Sequence, residues 1–280
     1  MAQSSLSAKV KWLSVIPVIA LLLAGCTSAG GASKAGGDTS APAGSHLAKI
    51  IKDGTIRVAV LADYPPFSVQ NASGKLEGYE PDIAQKLADA LGVKLELVST
   101  DGAGRLPLLQ SGRADVNISS WTATNERAKA VGFTIPYVSS GALPLFQKSN
   151  PITSFADLAG KKIAVARGST NDTIVTQTYP KAQIVRFESI ADAIAALKAG
   201  KVDATLEGQF TVQREVSGDP QLATLDAPPL RPSIISMGVL PSEQVLLNYL
   251  DNFVRNLTIS GDNQELYHKW FKADLPAAVQ

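Results

Sequence analysis

Ser120, Thr122 and Arg127 lie close together in one short segment of this 280-residue chain. Their hydroxyls, backbone amides and guanidinium are groups that hold a carboxylate, and a planar guanidinium takes both carboxylate oxygens at once. The same residue types have a plainer use. Ser and Thr cap helices, and an arginine on a helix face is usually solvated. A second segment, Gly168-Ser169-Thr170, leads from a strand pattern into a helix pattern. The amides and dipole of a helix N-terminus at Thr170 attract an anion, and Gly168 lets backbone approach closely. Other chemistry is poorly provided for. One cysteine, Cys26, and two distant histidines, His46 and His268, make no metal-ligand set. There is no Ser-His-Asp arrangement and no pair of carboxylates spaced for acid-base work, so neither catalysis nor a cofactor or metal is expected. With 26 basic and 25 acidic residues the chain lacks the basic surplus of a nucleic-acid binder.

Elements that could position these residues are readable from the apolar pattern. Hydrophobic residues make up 45% of the chain and charged ones 18%, which excludes disorder throughout and permits a sizeable core. Strand-like and helix-like runs alternate, the signature of parallel α/β architecture. Ile56 to Leu61 reads as a strand, and Pro81 to Leu91 as a helix with Ile83, Leu87, Ala90 and Leu91 on one face. Lys94 to Val98 and Asp115 to Ser119 read as strands, Gly104 to Gln110 as a short helix, and Thr124 as the cap of another reaching Lys129. A similar series follows Tyr137: strands at Lys162 to Ala166, Gln183 to Phe187 and Lys201 to Leu206, and helices at Asn171 to Thr178 and after Ser189. Ser154 and Asp157 resemble a capping box. Ile234 to Leu240 reads as a strand, with Ser242 to Ser260 and Gln264 to Phe271 as closing helices. The turns Gln110–Asp115 and Lys198–Asp203 each end a helix on glycine and enter a strand after aspartate. One device used twice suggests two lobes of like build, with a ligand cleft where strand ends and helix N-termini meet.

Residues 1–25 read as an export signal: Lys9 and Lys11, then an apolar run from Trp12 to Leu23 that is short for a membrane span. Leu23-Ala24-Gly25-Cys26 resembles a lipobox, which makes Cys26 the lipidation site. Residues 26–46, rich in Ser, Gly and Ala, read as a flexible linker. The expected location is outside the cell membrane, lipid-anchored and facing periplasm or exterior.

The body resembles the extracellular solute-binding proteins of ABC transporters, family 3, in the group for polar amino acids. The likeness rests on Tyr64-Pro65-Pro66-Phe67 leading to Gly78-Tyr79-Glu80-Pro81-Asp82-Ile83-Ala84, on Thr122 to Arg127 followed by Phe133-Thr134-Ile135-Pro136-Tyr137, on Lys162 to Val165 running to Gly168-Ser169-Thr170, and on Tyr267 to Phe271. It implies a two-lobed α/β periplasmic-binding fold of the second type. The chain would cross between lobes near Val138–Gly141 and Ser233–Ser236, giving lobe one as 47–139 plus 236–275 and lobe two as 140–235. It further implies a monomer that hands a small polar solute to a permease and its ATPase, and no nucleic-acid partner.

The resemblance also assigns roles. Arg127 would take the ligand's main-chain carboxylate, with Ser120, Thr122, Thr170 and Gly168 around it. Tyr64 would pack on the ligand, although a Tyr-Pro-Pro-Phe turn also simply covers a core edge. Trp121 is expected to pack rather than bind. Arg105 lies in a stretch similar to that of glutamate- and aspartate-binding members and would meet a side-chain carboxylate, or else stabilise its lobe. One position departs. Where the family places an aspartate for the ligand's ammonium, this chain has Gly208, preceded by Glu207. Neighbours on a strand face opposite ways, so Glu207 replaces the aspartate only if a bulge or the strand's end turns it inward. Otherwise the ligand lacks an amino group. Some relatives resemble this chain yet dehydrate prephenate or arogenate, and for that alternative Glu207 is the available general acid.

Overall fold

The computed structural model describes residues 40–276 and 279. The export signal, Cys26 and most of the linker lie outside them. The body is a mixed α/β fold with two sheet-containing lobes.

Its first helix, His46–Asp53, was not apparent from the sequence. Ser45 starts it by accepting from the Ala48 amide at 3.1 Å, and Gly54 ends it at φ 68°. The next strand, Thr55–Leu61, is the second strand of a five-stranded sheet. It pairs in parallel with Lys94–Thr100 and with Val116–Asn117, and the sheet continues antiparallel through Gly238–Val239 to Gly132–Phe133. Helix Tyr79–Leu91 lays Ile83, Ala84 and Leu87 on this sheet with no exposed area. Each such aliphatic side chain contributes roughly 1.5–3 kcal/mol by leaving water.

The second sheet holds Lys162–Ala166 parallel to Gln183–Phe187 and Ala204–Gly208, with Val138–Gln147 running antiparallel beside the last of these. Leu222–Thr224 and Leu230–Ile235 both pair with Val138–Gln147. Val138 faces Ile235, so the two segments that leave the first sheet travel as a hydrogen-bonded antiparallel pair. Helices Thr170–Thr178 and Ile190–Lys198 begin on serine caps: Ser169 accepts from the Asp172 amide and Ser189 from the Asp192 amide, each at 3.0 Å. Ser154 and Asp157 form the reciprocal capping box of a short 3₁₀ turn, Phe155–Leu158.

Several expectations change in detail, and the strand expected over Ile234 to Leu240 is split between Leu230–Ile235 and Gly238–Val239. The helix expected from Thr124 is one 3₁₀ turn, Arg127–Lys129, with the Thr124 hydroxyl accepting from the Arg127 amide at 3.2 Å. The strand expected over Asp115 to Ser119 shortens to Val116–Asn117. Two residues beyond that strand's last flank, Ser120 turns the chain into the left-handed region at φ 50°.

The two lobes touch through specific groups. Phe210, on the helix Gln209–Gly218 of the second lobe, packs into the first lobe's aromatic cluster, with its ring centroid 5.0 Å from that of Phe271 and 6.2 Å from that of Phe67. Asp63 of the first lobe accepts from the Ile190 and Ala191 amides at 2.7 and 3.3 Å, capping a helix of the second.

Candidate ligand-binding site

A cavity of about 70 Å³ lies between the lobes, lined by Tyr64, Arg105, Ser120, Thr122, Thr170 and Glu207 together with residues named below. A water needs roughly 10–15 Å³ of such space and occupies about 30 Å³ of liquid. The cavity therefore has room for more than one water.

Arg105 opens the helix Arg105–Gln110, held in place by Asp101, whose carboxylate accepts from the Ala103 and Gly104 amides. Its guanidinium is only 6% exposed. Nε donates to the Ser119 hydroxyl at 3.0 Å and Nη2 to the Ser119 carbonyl at 2.8 Å. Among the described residues no carboxylate pairs with it. Burial accordingly pulls its pKa down, opposed by the more distant Glu80.

Ser120 owes its left-handed backbone to Glu80. The Glu80 Oε1 accepts from the Ser120 amide at 2.5 Å, from its hydroxyl at 2.9 Å and from the Tyr137 hydroxyl at 2.6 Å. Burial pushes the Glu80 carboxyl up to about 7, against these hydrogen bonds.

Arg127 stands at the edge of the cavity rather than in its lining. Nη1 donates to the Thr122 carbonyl and to the Thr170 hydroxyl, both at 3.0 Å, and Nη2 donates to the Gly168 carbonyl at 3.1 Å. Thr122 belongs to the first lobe and Gly168 and Thr170 to the second, so one guanidinium bridges the two. Gly168 has φ 71°, which a side chain would resist. Burial, and then the neighbouring charge of Arg105, lower the Arg127 pKa to about 10. Two guanidiniums that repel one another, without a carboxylate between them, are the electrostatic complement of an anion.

The opposite wall is acidic. Glu207 is the last residue but one of the strand Ala204–Gly208 and is 2% exposed. It and Gly208 both line the cavity. Oε2 accepts weakly from Asn171 at 3.4 Å, and Oε1 has no partner. Burial pushes this carboxyl up to about 8, with the charge of Asp63 adding to the effect. The hydroxyl of Ser140, also in the lining, is buried without a partner.

Gly208 is a glycine for a local steric reason. A Cβ there would sit 2.3 Å from the Tyr64 hydroxyl and 3.4 Å from the Ser140 hydroxyl. Tyr64 cannot readily swing away, because its ring stacks on Phe67 at 5.3 Å between centroids. An aspartate does not fit at this position. Trp121 packs edge-on against Phe133 and closely over Gly238.

Ser140, Ser169, Asn171, Arg231 and Ser233 complete the polar lining and were not singled out as site residues by the sequence. Ser140 and Ser233 lie opposite each other on the paired crossing strands, a placement that only the register of those strands reveals. Among the described residues no group of three or more His, Cys, Asp or Glu could hold a metal ion, and no helix is long and apolar enough to cross a membrane.

Residues 56–273 match the family described as bacterial extracellular solute-binding proteins, family 3. The chain is 30% identical over 231 residues to the L-cystine-binding protein TcyJ of Escherichia coli (strain K12), covering 82% of this chain and 87% of that protein. It is 29% identical over 272 residues to the glutamine-binding protein GlnH of Bacillus subtilis (strain 168), covering 95% and 98%. Among solved structures, a mutant of the arginine-binding protein of T. maritima superposes with a TM-score of 0.76 at 32% identity, covering 81% of this chain and 99% of that one. An ancestral amino acid-binding protein, described as a precursor of cyclohexadienyl dehydratase, gives 0.75 at 34% identity with the same coverages.

Proposed function

The chain belongs to the bacterial extracellular solute-binding proteins of family 3, and from that premise we propose that it is the lipid-anchored substrate-binding component of an ABC importer for a polar amino acid, glutamate or aspartate being favoured. The observation that carries the reading is the charge layout of the cavity. Two guanidiniums without carboxylate partners stand on one side, and a buried carboxylate with a free oxygen stands on the other. An amino acid supplies the missing opposite charge at each. Its main-chain carboxylate takes Arg127 with Ser120, Thr122, Thr170 and the backbone around Gly168. Its ammonium takes Glu207 and Ser140, in place of the aspartate that Tyr64 excludes from position 208. Tyr64 covers the ligand, and an acidic side chain meets Arg105. Binding the ligand in the cavity favours lobe closure by its differential affinity for the closed state. Cys26 would carry the lipid that holds the protein at the membrane, and the permease would receive the closed, loaded protein.

A second reading, dehydration of a cyclic acid such as prephenate, has one observation in its favour. Glu207 carries a proton near neutral pH, as a general acid must. One experiment tests both. After the purified protein has been unfolded and refolded to strip bound ligand, a thermal-shift screen covers the amino acids, non-amino dicarboxylates and prephenate. A ligand that binds only the folded state raises Tm. A rise with glutamate or aspartate that is abolished in Arg127→Ala is the expected result. A rise with amine-free acids alone, or an Arg127→Ala protein that responds like wild type, would refute the proposed site, and turnover of prephenate would establish the second reading.

A further inference from the structure

The peptide between Ser119 and Ser120 is held from both sides by charge. Its carbonyl accepts from Arg105 Nη2 at 2.8 Å, and its amide donates to Glu80 Oε1 at 2.5 Å. Arg105 and Glu80 share no direct hydrogen bond, yet this one amide links guanidinium to carboxylate. Hydrogen bonds in such a chain polarise one another. Each group also feels the other's charge. Glu80 raises the Arg105 pKa against the effect of burial, and Arg105 lowers that of Glu80.

Glu80 is fixed in place. It lies in the first turn of the helix Tyr79–Leu91 and has no exposed area. The same Oε1 accepts from the Ser120 hydroxyl at 2.9 Å and from the Tyr137 hydroxyl at 2.6 Å. The Tyr137 carbonyl in turn accepts from the Tyr79 hydroxyl at 3.2 Å and from Asn263 at 2.9 Å. These donors ask for an acceptor oxygen, which a neutral side chain also offers. A buried carboxylate is the costlier choice, and among the described residues Oε2 has no hydrogen-bond partner. Fold stability therefore does not account for a charge here. Arg105 does. It lines the cavity with Ser120. Its Nε and one Nη2 hydrogen are spent on Ser119, which leaves three of its five N–H donors without an acceptor among the described residues.

We propose that Glu80 is a positioning residue that sets how strongly Arg105 favours an acidic ligand, acting through the Ser119–Ser120 peptide. The inference rests on reading the cavity as an amino-acid site in which Arg105 faces the ligand's side chain. Glu80 acts in two opposed ways. Its oxygen keeps Ser120 in the left-handed region at φ 50°, and so keeps the Ser119 carbonyl and hydroxyl where they hold the guanidinium. Its charge offsets that of Arg105, and so tempers the attraction for a carboxylate. Glu80 itself does not line the cavity and touches no ligand.

The test is calorimetric titration of L-glutamate and L-glutamine at pH 8 into ligand-stripped wild type, Glu80→Gln and Glu80→Met. At that pH Glu80, pushed up to about 7 by burial, is mostly ionised. The readout is the ratio of the two affinities, in which effects common to both ligands cancel, whether at Glu207 or in stability. In Glu80→Gln the carbonyl oxygen keeps the three donors and the charge is gone. The ratio should then shift toward glutamate by roughly threefold or more. In Glu80→Met the acceptor is gone as well. The Ser120 amide and the Tyr137 hydroxyl lose their partner, and the turn that holds Arg105 loosens. The ratio should then fall roughly tenfold in favour of glutamine. A purely structural role would leave the ratio unmoved in both variants, and a role of charge alone would raise it in both. A Glu80→Gln ratio within about twofold of wild type, or a ratio that moves the same way in both variants, would overturn the proposal. If Glu80→Met does not fold, Glu80→Gln decides by itself. A wild type that prefers glutamine, with the variants still moving in opposite directions, would refute the glutamate preference and leave the role of Glu80 standing. A wild type that binds neither ligand would overturn both.

Discussion

Binding of an amino acid should expel a proton from Glu207, and the amount can be worked out. In the ligand-free cavity burial and Asp63 hold this carboxyl at about 8, so at pH 7 it is protonated in about nine molecules of ten. A ligand ammonium within hydrogen-bond reach lowers a carboxyl pKa by roughly one to three units. A drop of two units, to about 6, leaves about one molecule in ten protonated at pH 7 in the complex. Binding then releases about 0.8 of a proton at pH 7, falling to about 0.5 at pH 6 and at pH 8. The same shift strengthens affinity by up to a hundredfold in total as pH rises from about 5 to about 9. Titration calorimetry at pH 7 in phosphate and in Tris reads the proton directly, because the observed enthalpy then depends on the buffer's own ionisation. Glu207→Gln should abolish that dependence and weaken binding. It should also stabilise the ligand-free protein, and the sign is fixed by linkage. The folded pKa lies above the ordinary 4.5, so the native state binds the extra proton, and stability contributed at low pH is lost as pH rises from 4.5 through 8. The variant should match wild type near pH 4 and exceed it at pH 8, with an upper bound of about 5 kcal/mol. An enthalpy independent of buffer would refute the assignment of the ammonium to Glu207. A release that persists in Glu207→Gln would move it to Glu80, the other buried carboxyl near the site.

Two smaller perturbations check the rest of the scheme. Gly208→Ala sets a Cβ against the Tyr64 hydroxyl and should cost roughly 1–3 kcal/mol by overpacking, with weaker amino-acid binding. An unchanged urea midpoint would show that Tyr64 moves aside freely. Cys26→Ser in the full chain, expressed in a bacterial host, should shift the protein from the detergent phase to the aqueous phase of a cloud-point partition. Equal partitioning of the two would rule out the lipid anchor.

Legibility from sequence followed the range of the interactions involved. The helices Tyr79–Leu91 and Ile190–Lys198 were readable because their apolar period and terminal signals are local: Gly92 and Ser189 lie within a turn of the elements they bound. Tyr64, Arg105, Ser120, Thr122, Thr170 and Glu207 do converge on one cavity, and Arg127 and Gly168 meet at its edge. What sequence could not supply was the direction of each group. Alternation along a strand puts Glu207 and Gly208 on opposite faces, yet Gly208 is the last strand residue and the helix Gln209–Gly218 starts directly after it. Both residues line the cavity, Gly208 with its backbone alone. Arg127 looked like a guanidinium free for a ligand, but its oxygen partners Gly168 and Thr170 are some forty positions away and become neighbours only when the lobes meet. Arg231 was not singled out, since its place in the cavity lining depends on a one-residue slip between strands whose pairing the sequence does not state, although Pro232, which cannot donate to a ladder, lies within that slip. A guanidinium's role is set by which acceptors the fold leaves within its reach, and at this site Nη1 and Nη2 of Arg127 meet the protein's own oxygens, while its Nε hydrogen and one Nη2 hydrogen are left for a ligand.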